Sequence, residues 1–83
     1  MTGEQTLKLA KLYSEHTGLK LSSIGAYAAN DGRHFLEIEE KGRECLPRTA
    51  RRVAEWFSEN WPQDLAWPQG VPRPSAPKRR RAS

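Results

Sequence analysis

Apolar residues recur along the chain in helical stripes rather than in alternation. In residues 4–17, Leu9, Leu12, Tyr13 and His16 stand at i, i+3, i+4 and i+7, so they share one helix face, with Lys8, Lys11 and Glu15 around the rest. Thr2, followed three places on by Gln5, reads as a capping box, and Gly18 stands where a left-handed terminator belongs. A second helix is predicted after Leu19, with Leu19, Leu21, Ile24 and Ala28 inward. Ser22 or Ser23 caps or begins it, and Gly25 and Ala26 are small enough for another helix to approach. Asn30 tolerates positive φ and makes the turn. Asp31 then reads as the N-cap of a third helix over about 32–40. Phe35 and Ile38 face inward on it with Glu39 beside them, Arg33, His34 and Glu37 face outward, and Gly42 stops it. After a loop over 43–46, Pro47 suits the first turn of a fourth helix. Its stripe is Leu46, Ala50, Val53, Ala54, Phe57 and Trp61, and Arg48, Arg51, Arg52, Glu55 and Glu59 cover the other side. Pro62 biases Trp61 out of helical geometry, so the helix ends near Asn60.

Every predicted element is a helix, so the fold class is all-α. Three regions follow: a helical domain over 1–61, a Trp- and Pro-rich segment over 62–72 that lies on this domain or on a partner, and a disordered basic tail over 73–83. Two short helices joined by a few turn residues, here across Asn30-Asp31-Gly32, form the helix-turn-helix unit, whose second helix can enter a DNA groove.

The chain has 83 residues, and its last stretch holds no large apolar side chain. Roughly 60 residues remain to build a core, close to the lower limit for a domain without staples, and dimerisation would help it. The net charge of +4 is unevenly spread: residues 73–83 hold Arg73, Lys78, Arg79, Arg80, Arg81 and no acid, which leaves −1 on the rest. Affinity for a polyanion must therefore come from local patches and the tail. A single cysteine, Cys45, permits no internal disulfide, and Met1 is followed by polar residues rather than a charged-then-apolar leader, which together fit a reducing cytoplasm. No apolar run approaches the ~20 residues of a membrane span.

The spacing of these elements resembles the lambda-repressor-like (Cro-type) helix-turn-helix family over roughly residues 7–57. Thr17-Gly18-Leu19 matches the family's Gly-Leu lead into its second helix, and Ile24-Gly25 its apolar-then-small pair. Asp31 stands at the cap of the recognition helix, Phe35, Ile38 and Glu39 match the apolar-x-x-apolar-Glu signature, and Thr49-Ala50 and Val53-Ala54 match the fourth helix. Lys20 replaces the usual Ser or Asn cap, the turn glycine near Ala29 is absent, and the glycine after the signature falls one residue late, at Gly42. The resemblance implies a bundle of four to five helices that places its third helix in the major groove of double-stranded DNA as a homodimer. The groove-facing positions are then Gly32, Arg33 and Glu37, with His34 beside them.

Each candidate has two readings. Arg33 can donate twice to guanine O6 and N7, or be an ordinary exposed first-turn arginine. Gly32 allows close backbone approach to DNA, or only turns the chain. Glu37 can accept from cytosine N4, pair with Arg33, or be merely solvated. His34 reaches a phosphate or base, or is simply exposed, whereas His16 reads as half-buried packing. Lys20, Ser22 and Ser23 can hold a phosphate at the start of the second helix, and for the serines this coexists with capping. Arg48, like Arg51 and Arg52, contacts phosphate or belongs to a salt-bridged face. Lys78, Arg79, Arg80 and Arg81 bind phosphates, solubilise the terminus, or meet an acidic partner. Trp56, Trp61, Leu65 and Trp67 either close the end of the bundle or form the dimer seam.

The sequence offers no catalytic, metal or cofactor signature. Cys45, His16 and His34 lack the paired spacing of a zinc site, there is no glycine-rich phosphate loop, and the acids sit among basic neighbours. A cytoplasmic, nucleoid-associated transcriptional regulator is thus the first expectation. A protein-interaction module, antitoxin or adaptor, that keeps the fold without binding DNA is the second.

Overall fold

The computed structural model describes residues 2–74. Among these, four α-helices and no strands are found: α1 Gly3–Thr17, α2 Leu21–Ala28, α3 His34–Lys41 and α4 Pro47–Asn60. Helices α3 and α4 each pack on α1 and α2, and they meet each other through the rings of Phe35 and Phe57, 6.2 Å apart in the core. Glu39, Glu40 and Lys41 of α3 are exposed, and Leu36 and Glu37 are half-buried.

Local signals fix most boundaries. Thr2 and Gln5 form the capping box, with Thr2 Oγ1 accepting from the Gln5 N–H at 3.1 Å and Gln5 Oε1 accepting from the Thr2 N–H at 2.9 Å. Gly18 ends α1 at φ 81° and Gly42 ends α3 at φ 66°. Pro47 occupies the first turn of α4. Lys20 starts α2 without a side-chain cap.

The core draws on all four helices: Leu9 and Ala10, Ile24 and Ala28, Phe35 and Ile38, Val53 and Phe57. Tyr13 joins α1 to α4, its ring centroid 5.4 Å from Trp56 and 5.5 Å from Phe57. The α1 face is rotated from the expected one. Thr6, Leu9 and Ala10 are buried, Leu12 and Tyr13 flank them, and His16 is exposed, its Nε2 3.1 Å from Asp64 Oδ1. Leu46 is also not in the α4 stripe; it precedes the helix in extended geometry and is 68% exposed. Glu39 is exposed and forms an ion pair with Lys11 of α1.

The chain after α4 folds back on its own domain. Trp61 and Val71 are core residues. Trp61 Nε1–H donates to Leu65 O at 2.7 Å, Trp67 Nε1–H donates to Val71 O at 2.8 Å, and the two indoles lie 4.9 Å apart. A downstream carbonyl thus satisfies the indole N–H of buried Trp61 and of half-buried Trp67, which an apolar site requires. Ordered packing also runs past the boundary expected at residue 73. The Arg73 guanidinium lies 4.7 Å over the Trp67 ring and its Nη2 donates to Ser58 O at 3.0 Å. Lys78, Arg79, Arg80 and Arg81 fall outside the described residues.

Candidate functional site

The turn between α2 and α3 spans Ala29–Arg33, and its shape depends on three residues. Asn30 takes φ 56°, the left-handed conformation foreseen for it. Gly25, inside α2, carries the turn: its carbonyl accepts from the N–H groups of both Ala29 and Asp31, at 2.9 and 3.1 Å. What approaches this small residue is the turn backbone rather than another helix.

Asp31 is not the N-cap of α3. Its Oδ1 accepts from the Arg33 N–H at 3.0 Å and its carbonyl from the His34 N–H at 3.1 Å, so it closes an Asx turn, and Arg33 occupies the cap position. The helix consequently starts two residues later than expected.

That shift reassigns His34. It is not on the outer side; it is 1% exposed, with its ring 5.0 Å from Phe35 and Nε2 3.6 Å from Cys45 Sγ. No partner meets Nδ1. Burial holds the His34 pKa below the ordinary imidazole range, and the Arg43 charge pushes the same way against Asp31 and Glu37. His34 is therefore a neutral packing residue, and its side chain is not placed to touch a base. Burial likewise pushes the Cys45 thiol up, so the two face each other as neutral groups. No cluster of three metal-ligating side chains occurs among the described residues.

Three of the four expected base-contact positions remain outside the core. The Arg33 side chain is 77% exposed, and its Nε lies 3.5 Å from Glu37 Oε2. Gly32 faces α2: a β-carbon there would sit 3.4 Å from the Ser22 carbonyl oxygen. The start of α2 is thus brought beside the head of α3, with Lys20 and Ser22 exposed and Ser23 half-buried. Arg48 is exposed on the first turn of α4.

The residue that sequence reasoning missed is Arg43. Its Nη1 donates to Glu37 Oε1 at 2.7 Å and to Asp31 Oδ2 at 3.0 Å. The Arg33 N–H and then the Arg43 guanidinium hold the Asp31 carboxyl below the usual carboxylate range. A signal for this existed. A left-handed glycine after a helix turns the chain back over its last turns, so the residue after Gly42 returns toward Glu37.

No protein-family model, curated protein or solved structure matches the chain.

Trp61 is core, and half-buried Leu65 and Trp67 are engaged within the chain, as groups that close the end of the bundle would be. Trp56 is half-buried and stacked on Tyr27 at 6.3 Å and 18°, and Tyr27 is 58% exposed. Among the described residues no helix is long and apolar enough to cross a membrane.

Proposed function

We propose that the chain is a sequence-specific DNA-binding transcriptional regulator of the helix-turn-helix kind, working on the nucleoid. Helix α3 enters the major groove, the start of α2 meets a phosphate through Lys20 and Ser22, and the arginines of α4 with the basic tail supply salt-sensitive attraction. The observation that carries this reading is Arg33. It stands 77% exposed at the head of α3, its Nε is 3.5 Å from Glu37 Oε2, and its other two guanidinium nitrogens make no hydrogen bond among the described residues. A planar two-pronged donor at that place fits the O6 and N7 acceptors of guanine.

Charge supports a division of labour. Asp31 and Glu37 offset Arg33 and Arg43, so the α3 end has little net charge of its own. The α4 segment and the chain after it hold Arg48, Arg51, Arg52, Arg73, Lys78, Arg79, Arg80 and Arg81 against Glu55, Glu59 and Asp64. Attraction to a polyanion then comes from α4 and the tail, and choice of sequence from α3. A homodimer on two half-sites one helical turn apart, ~34 Å, completes the reading. Its seam would include Tyr27, an exposed ring stacked on half-buried Trp56.

The second reading is an interaction module, antitoxin or adaptor, with this fold and no DNA. The exposed Tyr27, stacked on half-buried Trp56, and the offset charges of the α3 end favour it. Selection from a random duplex pool, followed by gel shift with full-length protein, separates the two. Enrichment of one motif, weakened by salt, supports the regulator. No enrichment, together with a stable co-purifying protein, supports the module.

A further inference from the structure

The four charges at the outer end of α3 form a closed arrangement rather than separate pairs. Arg43 Nη1 is shared by Asp31 Oδ2 and Glu37 Oε1. The second oxygen of each carboxylate is turned to Arg33: Asp31 Oδ1 accepts from its backbone N–H at 3.0 Å, and Glu37 Oε2 lies 3.5 Å from its Nε. Arg33 is thus held at backbone and at side chain, and both holders are tied to a single nitrogen of Arg43.

This arrangement decides between the roles open to Glu37. A carboxylate that reads cytosine must offer a free oxygen to N4. Both oxygens of Glu37 are turned to arginines. Its contact with Arg33 uses Nε, which leaves Nη1 and Nη2 as the donor pair for a guanine edge.

We propose that Arg43 is the positioning residue of this surface, fixing Asp31 and Glu37 so that they orient Arg33, and so that Glu37 serves Arg33 instead of reading a base. The consequence for recognition rests on the DNA-binding reading above, whereas the ordering of Arg33 by Arg43 does not depend on it.

Full-length wild type, Arg43→Gln, Arg43→Lys and Glu37→Gln test this with and without DNA. Without DNA, the Asp31 carboxyl is titrated by carbon-13 NMR and amide exchange is followed at Arg33 and, as a control for global stability, at Phe57. Arg43→Gln should raise the pH at which Asp31 titrates and speed Arg33 exchange several-fold while leaving Phe57 unchanged. Arg43→Lys, which returns one cationic donor to the place of Nη1, should restore both. Unchanged titration and exchange in Arg43→Gln overturn the proposal whatever DNA does. With DNA, Arg43→Gln should lower the ratio of specific to non-specific affinity by about 5-fold or more, the scale of one guanine contact, with the salt slope unchanged. A slope smaller by about 0.9 instead makes Arg43 a phosphate ligand and overturns the positioning role. Glu37→Gln should keep the same selected base, and disappearance of a cytosine preference would make Glu37 a reader and overturn its service to Arg33. A wild type that selects no sequence removes the DNA reading and leaves the measurements without DNA decisive for Arg43.

Discussion

Gly25 and Asp31 are fitted to each other at backbone level. A β-carbon on Gly25 would lie 2.6 Å from the Asp31 carbonyl oxygen, inside van der Waals contact with an atom that cannot rotate away. The same glycine's carbonyl accepts from the Asp31 N–H at 3.1 Å. The α2–α3 turn therefore closes only over a residue with no side chain.

Gly25→Ala should cost stability despite the higher helix propensity of alanine. Propensity favours alanine by about 1 kcal/mol inside a helix. Displacing the turn costs about 1–3 kcal/mol, the range for overpacking, and it acts on the backbone that sets Asp31 and Arg33. We expect a net loss in urea denaturation, and Gly25→Ser should lose at least as much. A gain in stability would mean that the turn relaxes freely and that its shape is not set by Gly25.

His34 makes the domain acid-sensitive. Its folded pKa is lowered, so the unfolded chain binds a proton more readily. Stability is then full above the ordinary imidazole value of about 6.5 and falls as the pH drops below it, because the slope follows the protons taken up on unfolding. Asp31, also lowered, adds a second loss at more acid pH, below the ordinary carboxylate value of about 3.9. His34→Leu should flatten the first step, since it removes the imidazole that takes up a proton on unfolding. Urea midpoints between about pH 7.5 and pH 5 for both proteins, a range that spans the imidazole value, check the sign. Stability that rises on acidification would place a stabilised imidazolium at His34 instead.

Much of this architecture was legible in the sequence because its signals are local. Thr2 with Gln5, Gly18, Asn30, Gly42 and Pro47 each act within a few residues, and each took the expected role. The errors come from interactions that residue spacing does not encode. His34 reads as exposed by spacing alone. Asp31 uses its side chain for an Asx turn rather than a cap, which starts α3 later and turns His34 inward. Trp67 looks spare until Val71 and Arg73 return to it. Arg43 sits in what reads as a loop, and only the reversal at Gly42 brings it to Glu37.

Trp61 should behave as a core residue. It is 8% exposed, and Trp61→Ala removes a large buried ring together with its hydrogen bond to Leu65 O. The expected loss is about 3–5 kcal/mol, a large part of the stability of a domain this small. Thermal melts at several protein concentrations discriminate. A core role gives the same loss at each concentration, and a loss that vanishes on dilution would return Trp61 to an intermolecular seam.

The basic tail is best tested by ending the chain after Pro74, since Arg73 is part of the packed domain. That truncation removes Lys78, Arg79, Arg80 and Arg81. Thermal stability should be unchanged. The slope of log K against log salt should become shallower by about 0.9 for each phosphate that the tail had neutralised, with non-specific and specific DNA affected alike. An unchanged slope would assign the tail to another partner.

The most direct measurement is base selection by wild type and Arg33→Ala from the same random duplex pool. Arg33 is exposed and its removal leaves the core intact, so the variant should fold with wild-type stability. The account predicts that wild type enriches a motif containing guanine, and that Arg33→Ala loses preference at that position by about 1–3 kcal/mol while keeping its non-specific affinity. An unaltered motif in Arg33→Ala, or a folded wild type that enriches nothing, would contradict it.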